Sequence, residues 1–281
     1  MALFNPIRSP IVAAPASRPF VGGAVLGAAP WGWALAGVLL GVLVSVLVFA
    51  PARWLASVVR QVSGTQVLLE AAQGTVWSGS AQLTLTAGAG SVDASTLPSR
   101  LVWSIQPGLT GLTVRLSASC CLPQPWTFHL APRWNGAQLQ VSDSASTWPA
   151  HLLSGLGTPF NTIAPQGELA LTTQSLTLSW VAGRVQVTGL AQLDAQDLSS
   201  RLSTLRPMGS YRFTLSGGTA PELHLSTLVG SLQLSGRGQW VGGKLRFVGE
   251  ASSTPEHQVA LSNLLNIIGR RDGARSVIKL G

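Results

Sequence analysis

The segment Leu176-Thr-Leu-Ser-Trp-Val-Ala-Gly-Arg-Val-Gln-Val-Thr188 decides the fold class of this 281-residue chain. Apolar and polar residues alternate on both sides of Gly183. Strict alternation is typical of antiparallel strands that bury one face, and a glycine between two such runs predicts a tight turn. The segment therefore predicts a β-hairpin of two half-buried strands.

The same alternation recurs along the chain after residue 60. It predicts strands that include Gln82–Thr86, Leu101–Ile105, Leu112–Leu116, Ser231–Ser235 and Lys244–Val248. Glycines separate these runs at short intervals, as in a meander of hairpins. We therefore predict a mainly β protein built on antiparallel sheet.

Three short segments have helical rather than alternating spacing. The first is Thr147–Gly157, and the second places Leu198, Leu202 and Leu205 on one face after a capping Asp197. The third begins at Ser253-Thr-Pro-Glu256, has apolar residues at i, i+3, i+4 and i+7, and stops at Gly269. We expect these short amphipathic helices to cover part of the sheet.

A membrane span precedes the strands. No charged residue occurs from Pro19 to Pro51, and Trp31–Ala50 is almost continuously apolar. A bilayer core of ~30 Å needs roughly 20 apolar residues in a helix. This run predicts one transmembrane helix over residues 31–50, with aromatic anchors at its ends: Trp31, Trp33, Phe49 and Trp54.

A cleaved signal peptide is the alternative interpretation of this run. Signal peptides have apolar regions of about 7–15 residues, followed by a small-residue cleavage site. The run here is longer, and the proline of Ala50-Pro51-Ala52 disfavours cleavage. A retained span is therefore the better prediction.

The span divides the chain into three predicted parts. Residues 1–30, rich in alanine and proline, are predicted to be a disordered cytoplasmic tail, and residues 51–281 a β-rich domain on the opposite side of the membrane. Basic residues flank the span almost evenly, so they do not decide its orientation. Large domains are translocated largely regardless of their charge, which favours a cytoplasmic N-terminus.

The charge pattern argues against nucleic acid as a partner. The chain has a net charge of +8 and a pI near 11.2, but its basic residues are scattered rather than clustered on one face. The local exception is Gly269–Lys279. We predict that its Arg270, Arg271 and Arg275 either bind a partner or lipid headgroups, or belong to the solvated surface.

No catalytic or cofactor motif is present in the sequence. The four histidines are separate, and there is no nucleophile elbow, zinc-protease motif or phosphate-binding loop. Adjacent Cys120 and Cys121 do not have metal-ligand spacing. They are predicted to be small buried residues of a strand or, alternatively, a vicinal disulfide. We therefore expect no enzyme activity, no cofactor and no metal.

Tryptophan is unusually frequent, with ten residues against one tyrosine. Six of them lie in or beside predicted strands: Trp77, Trp103, Trp126, Trp134, Trp180 and Trp240. Core packing is one explanation, because each ring buries a large apolar area. A strip that faces lipid or a partner is the other, and it is favoured if several rings line one open face.

Several motifs, in order, resemble the type II secretion system protein N family of Gram-negative bacteria. They are Gly74-Thr-Val-Trp-Ser-Gly79, Leu97-Pro-Ser-Arg-Leu-Val-Trp103 with Pro107, Pro207-Met-Gly-Ser-Tyr211, Gly236-Arg-Gly238 with Trp240, and Leu264-Leu-Asn-Ile-Ile-Gly-Arg-Arg271. The resemblance runs from the span to the last residue. Each motif alone is weak, and their order and spacing carry the match. The longer segment before the span and the cysteine pair depart from the family pattern.

The resemblance implies a single-pass inner-membrane protein with a periplasmic domain, an accessory component of protein export across the outer membrane. It also implies kinship with AsmA-like domains, which are curved antiparallel sheets with an open apolar groove. The family supplies no catalytic residues.

Two hypotheses follow from the resemblance and the strand pattern. The first is a scaffold or assembly factor that binds other inner-membrane type II secretion components. The second is a lipid-binding or lipid-transfer protein, in which membrane lipid is the ligand. An open groove lined by Trp103, Leu178, Trp180 and Phe247 would favour lipid, whereas a face covered by the short helices would favour the scaffold.

Overall fold

The computed structural model describes residues 31–181, 184–218, 220–241 and 244–281. The predicted tail at residues 1–30 lies outside the described residues. The chain divides into two units, one ending at Val44 and the other comprising Ser45–Gly281.

The predicted apolar helix is present as α1, Trp31–Val48. Its residues are exposed throughout, and it is long and apolar enough to cross a membrane. Phe49 and Ala50, the last two residues of the predicted span, follow the end of this helix. The four predicted anchor residues are exposed: Trp31, Trp33, Phe49 and Trp54.

A second helix, α2, follows the first and was not predicted. It spans Ala52–Val62 and begins directly after Pro51. Ala52 and Leu55 on one face pack with Trp103 of the sheet. Apolar residues three positions apart, such as Ala52 and Leu55, are typical of a helix, so the sequence does contain a signal for α2.

The remainder of the described chain is dominated by one fifteen-stranded sheet in which every pairing is antiparallel. The strands are β1 Val67–Gly74, β2 Ser78–Thr86, β3 Ala94–Gly108, β4 Gly111–Ser117, β5 Trp126–Arg133, β6 Gly136–Val141, β7 Ser144–Pro149, β8 Gln166–Val181, β9 Arg184–Ser199, β10 Gly209–Gly218, β11 Glu222–Gly230, β12 Leu232–Val241, β13 Lys244–Ser253, β14 Arg270–Asp272 and β15 Arg275–Leu280. The mainly β, antiparallel fold class predicted from the alternation is confirmed.

Strand order follows sequence order almost throughout. The sheet runs β1-β2-β3-β4-β5-β6-β8-β9-β10-β11-β12-β13-β15-β14, with β7 beside the first half of β8. The second half of β8 pairs with β6. At the last edge the order reverses, because β15 pairs with β13 and β14 pairs with β15.

Because consecutive strands alternate in direction, their connections alternate between two ends of the sheet. We call one the turn end. Its connections are short and lie at residues 74–78, 108–111, 133–136, 181–184, 218–222 and 241–244. We call the other the capped end. Its longer connections, at residues 150–165, 200–208 and 254–269, fold back over the strands.

Apolar side chains gather on one face of the sheet, which we call the packed face. The largest cluster joins β8–β13 and β15 to the capped-end connections. A second joins β2–β5 to the connection after β4 and to a 3₁₀ helix at Ala150–Leu156. A third lies between α2 and β1–β3, with Ala52, Ala81 and Trp103 at its centre.

The three predicted helices have different outcomes. The third is confirmed, as a 3₁₀ turn at Pro255–His257 followed by α4, Gln258–Ile268. The first is shorter than predicted, because β7 continues to Pro149 before the 3₁₀ helix begins; a further short helix, α3, spans Phe160–Ile163.

The second predicted helix, after Asp197, is wrong. Strand β9 continues to Ser199, and Leu198 pairs with Gly209 of β10. Strand pairing therefore outweighs the helical spacing here. Leu202 and Leu205 still pack against the main cluster, but from an irregular connection.

Candidate functional site

At the capped end, helix α4 closes the packed face. Leu261, Leu264 and Leu265 are almost fully buried, and they join the cluster that contains Phe247 and Ala251 of β13. The Ser276 hydroxyl of β15 donates a hydrogen bond to the Leu265 carbonyl at 2.6 Å. The chain itself therefore covers this end of the face with buried apolar side chains.

At the turn end, the same face is only partly covered. Five apolar side chains on this face are 36–53% exposed. We call them the open strip: Leu112, Leu130, Trp180, Val185 and Trp240. They include two cross-strand pairs, Leu112 with Leu130 and Trp180 with Val185. The open strip is the candidate binding surface.

The four residues that separate the two hypotheses differ in exposure. Trp103 and Phe247 are 3% and 6% exposed, whereas Trp180 is 37% exposed and Leu178 is half-buried. The packed face is therefore neither a continuous open groove nor a wholly covered core.

The tryptophans also differ in exposure. Trp103 is core, and its indole N–H donates to the Val76 carbonyl at 3.0 Å. Trp180 and Trp240 belong to the open strip, and Trp134 is fully exposed in the turn between β5 and β6. Core packing thus accounts for Trp103 but not for Trp134, Trp180 or Trp240.

Two of the motifs quoted from the sequence place a glycine against a ring from another strand. A Cβ on Gly79 would lie 2.6 Å from the ring of Trp103 and 2.5 Å from the Gln73 carbonyl oxygen. A Cβ on Gly236 would lie 2.3 Å from the ring of Phe247. Such distances exclude a side chain. The glycines of these motifs therefore make room for core rings.

In the motif around Gly209 the glycine also contacts a ring, and here the ring belongs to the same strand. A Cβ there would lie 2.8 Å from the hydroxyl oxygen of Tyr211. Tyr211 is 1% exposed, and its hydroxyl has no hydrogen-bond partner among the residues that the structure describes. Burial raises the pKa of this phenol above its usual range, because the charged form would lose its hydration. Tyr211 is a neutral core residue.

An ion pair lies on the opposite face of the sheet. The Arg212 guanidinium donates two hydrogen bonds of 2.7 Å to the two carboxylate oxygens of Asp194 on the neighbouring strand. These hydrogen bonds lower the pKa of Asp194, although partial burial opposes the shift. The pair links β9 to β10 and points away from the open strip.

The predicted arginine site lies at the last edge of the sheet. Arg270 and Arg271 are exposed in β14, directly after α4. Arg275 of β15 instead forms an ion pair with Glu250, with 3.3 Å between Nη1 and Oε2. The structure therefore brings the three arginines to one edge, but it gives Arg275 an acidic neighbour within the chain.

The structure joins Cys120 and Cys121 in a vicinal disulfide with an S–S distance of 2.01 Å. The pair lies in the connection between β4 and β5, so the expectation that these cysteines belong to a strand is wrong. Cys121 is buried in the second cluster, whereas Cys120 is exposed. Proline and the disulfide make this connection unsuitable for strand pairing.

Comparison with known families connects these features to a secretion protein. The family model described as type II secretion system (T2SS), protein N, matches residues 65–278. The match covers the whole sheet apart from the last residues of β15. Comparisons with curated proteins and with solved structures give no match. Since the family model matches more than half of the sequence, this chain belongs to the type II secretion system protein N family.

Proposed function

We propose that this protein is a non-catalytic scaffold or assembly factor of the type II secretion system. In this proposal α1 anchors the chain in the inner membrane, and the sheet lies in the periplasm. There the sheet binds other inner-membrane components of the system, which exports folded proteins across the outer membrane. Membership of the protein N family carries the proposal.

The open strip supports a binding role. Half-exposed apolar side chains that share one face of a sheet are typical of a surface that is covered in an assembly. Large rings such as those of Trp180 and Trp240 supply much of the binding free energy in protein interfaces. The capped end, by contrast, supplies a rigid support that is already filled.

A photo-crosslinking amino acid at Val185 of the full chain, in a secreting host, tests this role. The matched control is Gln186, which is also exposed but points to the opposite face of the same strand. We expect position 185 to crosslink to inner-membrane type II secretion components, and position 186 to do so far less. Equal crosslinking at both positions, or none at 185, would contradict a role for the strip.

Lipid binding is a second candidate, favoured by the apolar character of the same strip. An acyl chain requires apolar contact with few polar partners, which Leu112, Leu130 and Val185 can provide. The crosslinking experiment separates the candidates by the mass of the adduct. A phospholipid adduct at position 185 without a protein adduct would favour the lipid-binding protein over the scaffold.

Membrane topology is a separate part of the proposal. A reporter fused after Gly281 should show periplasmic activity if α1 is a retained span with a cytoplasmic N-terminus. A cytoplasmic signal would overturn the proposed location, whatever the open strip binds.

The exposed arginines of β14 are proposed to contact an acidic partner or anionic headgroups. Replacing Arg270 and Arg271 with glutamine should leave folding intact, because both side chains are exposed. It should weaken partner crosslinking at low salt more than at high salt, where the interaction is already screened. Unchanged crosslinking at low salt would assign these arginines to the solvated surface.

A further inference from the structure

Helix α2 exposes a stripe of apolar side chains that the sheet does not cover. Trp54, Val58 and Val62 are 47%, 53% and 84% exposed. They are four residues apart, so they lie along one face of the helix. Ala52, which is fully buried, marks a different face that packs on the sheet. We call the three exposed residues the α2 stripe.

The remaining arc of the helix is polar and basic. Arg53, Ser57, Arg60 and Gln61 are exposed there. None of the acidic side chains that the structure describes forms an ion pair with either arginine. A helix with one apolar stripe that includes tryptophan, and with arginine on its polar arc, has the composition of helices that lie in a membrane interface.

The connection to α1 limits where α2 can be. Only Phe49, Ala50 and Pro51 separate the two helices. Since a residue extends the chain by at most about 3.6 Å, α2 begins within roughly 14 Å of the last residue of the span. The headgroup region on each side of a bilayer core is roughly 5–8 Å deep, so α2 begins in this region or within several ångströms of it.

Hydrogen bonds fix this connection to the sheet. The Val76 amide donates to the Ala50 carbonyl at 2.8 Å, and the Trp77 indole N–H donates to the Leu47 carbonyl at 2.8 Å. Pro51 forms an isolated bridge with Thr75. The β1–β2 turn therefore holds the start of α2 beside the point where the apolar helix ends.

We propose that α2 lies in the interfacial region of the leaflet from which α1 emerges. The α2 stripe then faces the boundary of the acyl chains, and Arg53 and Arg60 meet anionic phospholipid headgroups. The inference rests on the proposed retention of α1 as a membrane span. It adds a second membrane contact, one that sets the orientation of the sheet against the bilayer.

Site-directed labelling tests the placement. Single cysteines at positions 57, 58, 61 and 62 of the full chain, with Cys120 and Cys121 replaced by serine, would carry an environment-sensitive fluorophore. The chain is reconstituted in vesicles of phosphatidylcholine and phosphatidylglycerol that contain a lipid with a shallow nitroxide quencher. All four positions are exposed, so the label does not disturb the core.

We expect labels at positions 58 and 62 to be quenched and blue-shifted, and labels at 57 and 61 to remain closer to the values for water. Replacing Arg53 and Arg60 with glutamine should lower the ratio of quenched to unquenched label at position 62. Each basic residue near an anionic leaflet contributes roughly fivefold to such a ratio. This loss should disappear in vesicles of phosphatidylcholine alone.

Each remaining outcome has a distinct meaning. If the chain stays with the vesicles and all four labels are unquenched, the interfacial placement is wrong and anchoring by α1 stands. If labels at 58 and 62 change only when other secretion components are added, the stripe is a protein-binding surface and the inference is overturned. If the chain separates from the vesicles, the proposed anchor itself fails.

Discussion

The capped end and the turn end of the packed face are built from the same alternating strands but are covered differently. At the capped end, α4 and the long connections bury Phe247 and Tyr211. At the turn end, Trp180 and Trp240 remain about two-fifths exposed. The difference shows that the segments packed over the strands, rather than the strand pattern, decide which part of the face is exposed.

The largest effect on stability is expected at helix α4, which covers the capped end. Replacing Leu264 and Leu265 with alanine should lower the free energy of unfolding by several kcal/mol, because each buried Leu→Ala change costs roughly 2–5 kcal/mol. Chemical denaturation of the full chain in detergent measures this change. The control is Ile267→Ala on the same helix, where the side chain is 44% exposed and a change within about 1 kcal/mol is expected.

A small effect of the double leucine variant would contradict this comparison of the capped end with the turn end. It would mean that the capped end is not closed by α4, so that the whole packed face is available for binding.

A smaller loss of stability is expected at a glycine that contacts an aromatic ring of the core. Gly79→Ala places a methyl group against the Trp103 ring and the Gln73 carbonyl, and overpacking of this kind costs about 1–3 kcal/mol. The matched control is Gly218→Ala at the turn end, where no atom lies within 4 Å of the added methyl. Thermal unfolding of both variants should show a lower transition temperature for the first alone. Equal transition temperatures would show that the ring can move aside.

The smallest effect on stability is expected from the ion pair on the opposite face of the sheet. The lowered pKa of Asp194 means that its pair with Arg212 stabilises the fold when the carboxylate is ionised. This contribution is complete above the pKa of an unfolded aspartate, roughly 3.9, and is lost as the pH falls through the lower pKa of the folded state. Asp194→Asn should therefore be less stable than the wild type near pH 7.

The two proteins should converge in stability below about pH 4, as the folded-state carboxyl of Asp194 becomes protonated. Denaturant unfolding at a series of pH values measures the difference. A difference that does not change with pH would indicate that the pair contributes through its shape rather than its charge.

Much of the strand content of the sheet could be predicted from the sequence, because period-two alternation reports which residues share a face. Leu232 and Leu234 are examples, and both belong to the main cluster on the packed face as their spacing indicates. The apolar helix α1 was predictable for a similar reason, since its length and lack of charge are local properties.

The site could not be predicted in the same way. Alternation places Trp103 and Trp180 in equivalent positions, yet only Trp103 is buried, because α2 and the β1–β2 turn pack beside it. Which connection folds over which strands depends on contacts between distant segments. The false helix after Asp197 has the same origin, since pairing of Leu198 with Gly209 is a tertiary interaction that spacing does not reveal.

The order of the strands affects how the sheet can form during folding. Up to β13, nearly every strand pairs with the one synthesised just before it, so each new hairpin can add to an existing edge without waiting for a distant segment. Contacts that are close in sequence form quickly. In the proposed topology the chain crosses the membrane from its anchored end, so each hairpin can fold as it arrives, and α4, β14 and β15 complete the sheet last.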